Sequence, residues 1–303
     1  MKFTIYQESR QGTRKSNQDR IGYSYSRDAL LMVLADGMGG HLHGEVASQV
    51  AVQFLTGFFQ REAAPSLAKP VQFLKSGFIG AHHAIIDYAR AKRLADTPRT
   101  TCVACVIQRG IAQWAHAGDS RLYHLREGRI KARTSDHSRV QLLVDAGRIR
   151  EEAVRAHPER NRVLNCLGSA ALPSVELSRP TLLHSGDTLL LCSDGVWGPL
   201  TATAITRRLS KSDITKSVPE LLDLAELRAG RDCDNLSAVA MTWAENTASE
   251  FPLHISTRTL ELNKVTTEVE DFRSSADQRL LSDEEIERAI QDIRDAIRKN
   301  SAR

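Results

Sequence analysis

Several runs of apolar residues in this chain stop abruptly at an aspartate. Runs of this length, with turn residues behind them, indicate buried strands, so the aspartates are predicted to lie where strands leave a sheet. The runs cover 30–35, 111–118 and 187–193, and the residues that follow them are Asp36, Asp119 and Asp194. Two further aspartates, Asp19 and Asp234, stand just before the apolar runs 21–25 and 236–243.

Helical periodicity appears between the predicted strands. The segment 45–59 carries apolar residues at helical spacing, and 70–93 and 201–229 continue in the same style. The predicted buried stripe of the first segment consists of Val46, Val50, Phe54 and Phe58. Residues 100–135 have the pattern of consecutive strands joined by tight turns, which is an antiparallel arrangement. This grouping predicts an α+β layered domain rather than alternating βαβ units.

The pattern changes in the last fifth of the chain. Residues 245–280 are polar with little periodicity and are predicted to form a linker after a main domain of residues 1–244. Ser282 and Glu285 form a capping box at the start of an amphipathic helix within 281–303. The apolar stripe of this helix consists of Ile286, Ile290, Ile293 and Ile297. Three docking sites for the helix stay open: its own chain, a partner protein and a second copy.

Composition excludes several broad classes. With 303 residues, of which 41% are hydrophobic and 26% charged, the chain is able to bury a sizeable core and is not generally disordered. No window approaches the roughly 18 apolar residues of a membrane span, and the residues after Met1 do not resemble a signal peptide. Five cysteines, an odd number, do not form a disulfide framework. These features predict a cytoplasmic protein.

The net charge of +4 is unevenly distributed. Residues 245–303 hold 9 Lys and Arg against 13 Asp and Glu, which leaves 32 against 24 in residues 1–244. A basic body attracts polyanions, but the chain has no long Lys/Arg run and only 5% of its residues are aromatic. We expect no nucleic-acid binding, which would weaken steeply with salt and would not depend on Asp36. A main domain that binds phosphate esters would account for the same excess of positive charge.

The five aspartates together indicate a metal centre. A single aspartate at a strand end is often only a turn former or a helix cap. Several carboxylates on one rim repel each other unless a cation neutralises them, and hard cations such as Mg²⁺ and Mn²⁺ prefer oxygen ligands. The turn that follows Asp36 is rich in glycine, which lets the backbone approach a ligand closely.

An ordered set of short motifs makes this interpretation more specific. The motifs are Arg14…Asn17-Gln18-Asp19, Asp36-Gly37-Met38-Gly39-Gly40-His41, Gly118-Asp119-Ser120-Arg121, Thr134-Ser135-Asp136-His137-Ser138, Ser193-Asp194-Gly195 and Asp234-Asn235. In this order, over about residues 5–243, the chain resembles the bacterial branch of the protein phosphatase 2C family of metal-dependent serine/threonine protein phosphatases. The resemblance implies a four-layer α-β-β-α sandwich with two central antiparallel sheets, followed here by a C-terminal extension.

The resemblance also implies a set of metal ligands. Asp36 would bridge two Mn²⁺ or Mg²⁺ ions. Asp19 and the Gly37 carbonyl would serve one of these ions, and Asp194 and Asp234 the other. The two ions would lower the pKa of a bridging water, so that a hydroxide attacks phosphorus in line and no covalent enzyme intermediate is needed. In agreement, the chain has no Cys-x5-Arg loop and no Gly-Lys-Ser/Thr phosphate loop.

Further roles follow from the same resemblance. Asp119 would hold a third, weaker ion together with Asp194, and Arg14 would bind the substrate phosphate through its planar fork of donors. In eukaryotic relatives a proposed general acid, a histidine, directly follows Asp-Gly, and Met38 occupies that place here. His41 and His43 are the candidates for protonating the leaving group, although each is also a common polar residue at a helix start.

Two positions depart from the family pattern. Gln18 stands where many relatives have glutamate, which predicts modestly altered metal hydration and not inactivity. Arg99 stands where glycine is usual, and the sequence assigns it no function.

The sequence thus predicts a metal-dependent phosphatase acting on phosphoserine and phosphothreonine in proteins, with a serine/threonine kinase as the opposing partner. Residues 136–165 match the variable flap beside the site in this family and would bias substrate choice. The alternative is a phosphatase-like domain that has lost catalysis and acts as a binding or regulatory module. The presence of all five metal-facing aspartates argues against it.

Overall fold

Two β-sheets packed face to face form the centre of the molecule. The computed structural model describes residues 1–38, 43–210 and 213–244, together with the backbone of 267–268. The first sheet contains, in spatial order, β1 (Lys2–Arg10), β11 (Leu236–Ala244), β10 (Thr188–Cys192), β6 (Arg121–Arg126) and β7 (Arg129–Arg133). The second contains β12 (Thr267–Glu268), β2 (Asp19–Tyr25), β3 (Ala29–Asp36), β4 (Cys102–Gln108), β5 (Ile111–Ala117) and β8 (Glu176–Leu177), and β9 (Thr181–Leu182) also pairs with β5.

The strand pairs within the described residues are antiparallel, except that β12 runs parallel to β2. Helices cover both outer faces. The helices are α1 (Gly44–Glu62), α2 (Pro70–Ala91), α3 (Arg139–Asp145), α4 (Asp194–Trp197), α5 (Ala202–Leu209) and α6 (Ile214–Ala229), with short 3-10 helices at Glu151–Ala156 and Gly230–Asp232. The predicted α+β sandwich with two central antiparallel sheets is therefore confirmed.

Strand β3 shows why the strand sequences are continuously apolar. Its residues alternate between the layer under α1 and α2, which receives Leu31 and Val33, and the layer between the sheets, which receives Leu30 and Met32. Because both faces of the strand are covered, neither can be polar. The same alternation separates Cys102 from Cys105, which lie in different layers. The Cys-x-x-Cys sequence is therefore ordinary core packing.

The predicted stripe of α1 is displaced from the true buried face. Ala47, Ala51 and Leu55 are buried against the sheet, whereas Phe54 and Phe58 are only partly buried. Phe58 instead stacks on Phe73 of α2, with ring centroids 4.8 Å apart. The prediction was wrong because large side chains dominate a periodicity count, while the small alanines let the helix approach the sheet closely.

The described part of the chain contains no helix that is long and apolar enough to cross a membrane. The five cysteines are free and buried. The predicted terminal helix over 281–303 lies outside the described residues, as does the linker over 245–280 apart from the backbone of β12. The predicted domain division and the cytoplasmic location stay predictions.

Candidate functional site

Asp19 and Asp36 lie directly opposite each other where β2 begins and β3 ends. The backbone at Asp36 is held on both sides. Its carbonyl accepts hydrogen bonds from the Thr101 N–H at 2.9 Å and the Thr100 hydroxyl at 2.8 Å, and its N–H donates to the Thr101 hydroxyl at 3.2 Å. A backbone fixed in this way leaves the Asp36 carboxylate little freedom to withdraw from its neighbours.

Gly37 follows in a position that has no room for a side chain. A Cβ placed there would lie 2.2 Å from the Gly44 carbonyl oxygen and 2.7 Å from that of Gln18. The Gly37 N–H donates to the Gln18 carbonyl at 3.1 Å, and Gly37 forms an isolated bridge with Thr100. Glycine is thus required for the chain to turn tightly at the end of β3.

The first sheet contributes two more carboxylates at the same end of the sandwich. Asp194 is the first residue of α4, directly beyond β10, and Asp234 precedes β11. Ser193 links the sheets, because its hydroxyl donates to Asp19 Oδ2 at 2.7 Å and accepts the Ser237 N–H at 3.0 Å. Asp19 Oδ1 is buried and has no hydrogen-bond partner within the described residues.

Asn235 fastens the loop that carries Arg14. Its side-chain oxygen accepts the Gln18 N–H at 2.9 Å, and its amide nitrogen donates to the carbonyls of Gln11 and Ser16 at 2.8 and 3.0 Å. An amide with both a donor and an acceptor can tie two strands of chain together, which aspartate in this position could not do. The loop between β1 and β2 is thereby held against the start of β11.

Asp119 follows Gly118 just beyond the end of β5. The Gly118 N–H donates to His137 Nδ1 at 3.2 Å, and the Gly118 carbonyl accepts the His137 N–H at 2.9 Å. On the other side, the Trp197 indole N–H donates to the Asp119 carbonyl at 3.0 Å. The backbone of this aspartate is therefore held from both neighbouring segments.

A buried ion pair supports the Asp119 segment from below. Arg121 makes a two-pronged contact with Asp136, at 2.8 and 2.7 Å, and its guanidinium lies 3.6 Å from the centre of the Trp197 ring. This arrangement fixes the ring whose N–H reaches Asp119. Charge-assisted forks of this kind impose a defined geometry on both partners.

Arg14 also makes a two-pronged contact, with Asp234. Its Nε lies 2.7 Å from Oδ1 and its Nη2 lies 2.6 Å from Oδ2. The Arg14 side chain is 58% exposed and that of Asp234 is 30% exposed. The guanidinium thus stands at the mouth of the carboxylate cluster and is open to solvent.

Burial raises the pKa values of the clustered carboxylates, and nearby carboxylate charges raise them further. Burial, followed by the charges of Asp19 and Asp194, holds the pKa of Asp36 well above its usual range. Burial and the charge of Asp119 do the same for the pKa of Asp194. Burial raises the pKa of Asp19 to about 6, and burial together with Asp136 raises the pKa of Asp119 to about 7. A cluster of this kind is stabilised when cations neutralise it.

These groups surround an open cleft of about 810 Å³. Four carboxylates and four cationic side chains line it: Asp36, Asp119, Asp194, Asp234, Arg14, Lys15, Arg99 and Arg162. The structure therefore brings the predicted aspartates, Gly37 and Arg14 together at one end of the sandwich. Asp19, the partner of Asp36 on the neighbouring strand, is buried and does not line the cleft.

A family model described as Protein phosphatase 2C matches residues 7–225 of the chain. The chain belongs to the protein phosphatase 2C family. The chain is 34% identical over 228 residues to the serine/threonine protein phosphatase PstP of Mycobacterium tuberculosis, which covers 75% of this chain and 42% of PstP. It is 32% identical over 216 residues to the serine/threonine phosphatase stp of Listeria welshimeri, which covers 71% of this chain and 83% of that protein.

Solved structures agree with the sequence comparisons. The catalytic domain of PstP in complex with two manganese ions matches with a TM-score of 0.68 at 30% identity, covering 80% of this chain and 99% of that one. The resemblance predicted from the motifs is confirmed, and so is the class of enzyme, a protein serine/threonine phosphatase. Protein phosphatase 2C enzymes are metal-dependent, which agrees with the cluster of carboxylates.

The two histidines predicted as proton donors have different outcomes. His41 lies outside the described residues. His43 precedes α1 in the left-handed conformation, with φ of 73°, and its Nδ1 lies 3.9 Å from Glu45 Oε1. Gln18, which replaces the glutamate of many protein phosphatase 2C relatives, donates to Glu45 Oε2 at 3.3 Å.

A second cluster of possible ligands lies behind the Asp119 segment. His116, His137 and Glu176 bring their ligand atoms within 4.8 Å of one another. The two imidazole rings are stacked, with centroids 4.5 Å apart. His137 Nδ1 accepts hydrogen bonds from Gly118 and from Asn165, so its Nε2 carries the proton and donates to Glu176 at 3.2 Å. This network holds the Gly118 backbone in place through His137.

Sequence reasoning missed several residues of the cleft. Arg99 was assigned no function, yet it lines the cleft together with Lys15 and Arg162. The sequence contained one indication, because Arg99 directly precedes Thr100 and Thr101, the pair that fixes Asp36. Ser193 contacts Asp19, and Trp197 contacts the Asp119 backbone. Both contacts join segments that are distant in the sequence, so no local pattern predicts them.

Proposed function

We propose that this protein hydrolyses phosphoserine and phosphothreonine in other proteins with two divalent cations, Mn²⁺ or Mg²⁺, and a third that is held more weakly. The observation that carries the proposal is the meeting of Asp19, Asp36, Asp194 and Asp234, drawn from two sheets, at one end of the sandwich. When bound, the cations supply water activated for attack near neutral pH and positive charge for the phosphoryl oxygens.

The residues present fit such cations. Asp19 Oδ1 is a buried oxygen that lacks a hydrogen-bond partner among the described residues, as expected of a metal ligand. The donors are all carboxylate or carbonyl oxygens, the preferred ligands of hard divalent ions. Gly37 directly follows Asp36 in a turn that has no space for a Cβ, and its backbone carbonyl is the proposed further oxygen ligand.

The charges around Asp36 and Asp194 support the following assignment of residues to ions. Burial raises the pKa of Asp36, and the charges of both Asp19 and Asp194 raise it further, which suits a ligand shared by two ions. Asp19 and Gly37 would hold one ion, and Asp194 and Asp234 the other. Asp119 supplies the largest charge effect on the pKa of Asp194, and it would hold the third ion with that residue.

Arg14 would bind the phosphate of the substrate. A planar guanidinium offers paired N–H donors that match two phosphoryl oxygens, and its present contact with Asp234 shows that the fork is aimed at the cluster. Once Asp234 ligates a cation, the same donors can turn to a phosphate. Protonation of the leaving serine or threonine oxygen stays assigned to His41 or His43 as a prediction.

The test is phosphate release from a phosphothreonine peptide as a function of added Mn²⁺. We expect activity to need the cation and to fall at least a hundredfold in Asp36→Asn, because the shared ligand is lost. Asp28→Asn is the matched control, since the Asp28 side chain is 41% exposed and pairs with Arg27. Full activity without divalent cations, or in Asp36→Asn, would refute the two-metal proposal.

The same assay separates the alternative. A regulatory module that has lost catalysis would bind the phosphopeptide without releasing phosphate at any Mn²⁺ concentration. We also propose that a serine/threonine kinase supplies the substrates, because phosphoesters of serine and threonine are formed by phosphoryl transfer to a hydroxyl group. Residues 136–165, which include α3, would influence the choice among them.

A further inference from the structure

With two divalent cations bound as proposed, the cleft would hold more positive charge than one phosphate group requires. Its four lining carboxylates and four lining cationic side chains balance each other. If two divalent cations bind as proposed, their positive charge exceeds the one further negative charge, that of Asp19 outside the lining, and the cleft becomes cationic. A phosphorylated serine or threonine contributes only about −1.5 to −2 charges near pH 7. The remaining positive charge favours substrates that carry a second anionic group.

Arg99 is the cationic side chain best placed to meet such a group. Its carbonyl accepts the Met38 N–H at 3.0 Å, and the next residue, Thr100, forms the bridge with Gly37. The backbone of Arg99 is therefore attached to the turn that follows Asp36. Lys15 and Arg162 also line the cleft, but both are exposed, whereas the Arg99 side chain is 34% exposed.

The donors of Arg99 are poorly used inside the protein. Its Nε is buried and has no hydrogen-bond partner in the part of the chain that the structure describes. Its Nη2 lies 3.9 Å from Asp96 Oδ1, beyond hydrogen-bond distance. By contrast, Arg14 and Arg121 each engage a carboxylate through two short contacts. A buried donor without an acceptor lowers the stability of the protein, unless a ligand accepts its hydrogen bond.

We propose that Arg99 binds a second anionic oxygen group of the substrate, beside the phosphorylated residue, and so selects acidic phosphoprotein segments. The group is a carboxylate of a neighbouring Asp or Glu or the phosphate of a second modified residue. This inference rests on the proposed phosphatase function. The planar guanidinium recognises both groups in the same way, through paired N–H donors.

The test compares kcat/KM for three phosphothreonine peptides with saturating Mn²⁺. One peptide has neutral neighbours, one has Asp and Glu neighbours, and one carries a second phosphothreonine. We expect the wild-type protein to prefer the two acidic peptides by about tenfold or more, which is the typical effect of a charge-assisted contact. In Arg99→Gln the preference should fall to about twofold, because kcat/KM for the two acidic peptides should decrease much more than kcat/KM for the neutral peptide.

Two further variants sharpen the result. Arg99→Lys keeps the charge but loses the fork, so it should retain part of the preference. Arg90→Gln is the matched control, because Arg90 is an exposed arginine of α2 that pairs only loosely with Asp87, at 3.6 Å. It should leave the preference intact. If Arg99→Gln loses only the preference for the doubly phosphorylated peptide, the group that Arg99 binds is a phosphate. If it loses the preference for both acidic peptides, Arg99 binds either kind of anionic oxygen group.

The outcomes against the proposal are equally distinct. An equal effect of Arg99→Gln on all three peptides, or no effect on the preference, would overturn the role of Arg99 while leaving the phosphatase function in place. Failure of the wild-type protein to hydrolyse any of the peptides would overturn the proposed function and this inference with it. Circular dichroism and thermal unfolding of each variant establish that the fold is retained.

Discussion

Arg14 and Asp234 are joined by two parallel contacts, at 2.7 and 2.6 Å, although they are proposed to serve different ligands, a phosphate and a cation. The guanidinium therefore competes with a cation for the Asp234 carboxylate when no substrate is present. The pair is half exposed, which limits its strength to about 1 kcal/mol or less. With these proposed roles, metal binding and phosphate binding would be coupled through this contact.

Removing the guanidinium should tighten the binding of Mn²⁺ in the absence of substrate. In Arg14→Gln we expect the Kd for Mn²⁺ to fall by up to about fivefold, since Asp234 no longer has a competing partner. The same variant should raise KM for a phosphopeptide at least tenfold, because the phosphate loses its fork. Calorimetric titration with Mn²⁺ and steady-state kinetics measure the two effects. Weaker Mn²⁺ binding in the variant would contradict the competition.

The buried carboxylate of Asp19 should destabilise the metal-free protein in a pH-dependent way. Because its pKa is raised from 3.8 to about 6, its ionised form opposes folding. The protonated form of Asp19 carries no such penalty. The stability that it contributes is fully present below pH 3.8 and is lost as pH rises through about 6. Asp19→Asn should therefore be more stable than the wild-type protein at pH 7 without metal, and the difference should vanish towards pH 4.

Excess Mn²⁺ should reverse that order at pH 7, since the wild-type protein gains a ligand that the variant lacks. Denaturant unfolding at several pH values, with chelator and with Mn²⁺, provides the comparison, and Asp28→Asn serves as the control. A variant that is less stable than the wild-type protein in chelator at pH 7 would show that Asp19 does not carry an unneutralised charge there.

His137 should act as a positioning residue for Asp119. Its Nδ1 accepts the Gly118 N–H, and His137→Ala would leave that donor without its partner. We expect the variant to need several times more Mn²⁺ for half-maximal activity, with a smaller change in KM for the peptide. His137→Asn, whose side-chain oxygen can take the place of Nδ1, should recover much of the loss. Equal effects of both substitutions would point to general loss of packing.

The ion pair around Asp187 should matter for stability and not for catalysis. Its fully buried carboxylate contacts Arg126 at 2.7 Å and His124 at 2.9 Å, between β6 and the start of β10. Breaking a buried pair by removing one charge costs about 3 kcal/mol. Asp187→Asn should lower Tm clearly while kcat with saturating Mn²⁺ changes less than twofold. A large fall in kcat measured well below Tm would contradict this separation.

The cluster of aspartates was predictable because strand ends have a strong local signature. Apolar runs that stop at Asp36 and Asp194 identify both the strand and its end. The two strands belong to different sheets, so the packing that brings these ends together is not part of that local pattern. Arg99 was not predictable in the same way. Its position beside the cleft depends on the bridge between Gly37 and Thr100. This contact joins segments more than sixty residues apart, and no periodicity in the sequence reveals it.

The helix α1 shows a second limit of sequence reasoning. The existence and length of the helix follow from its pattern, but its orientation depends on which neighbour is nearer. Small residues such as Ala51 approach the sheet, and Phe58 turns towards α2, because each helix must pack against two surfaces at once. A hydrophobic stripe by itself does not distinguish these two contacts.

Strands β1 and β11 pair over nine residues, with Lys2 opposite Ala244 and Arg10 opposite Leu236. The pair begins beside the cleft, next to Asp234, and runs away from it for about 26 Å, the length of eight steps along a strand. Residues 1 and 244 therefore emerge side by side at the far end of the sandwich. A fluorescent protein or an affinity handle attached to residue 1 would be carried away from the carboxylates and would leave the mouth of the cleft open to a protein substrate.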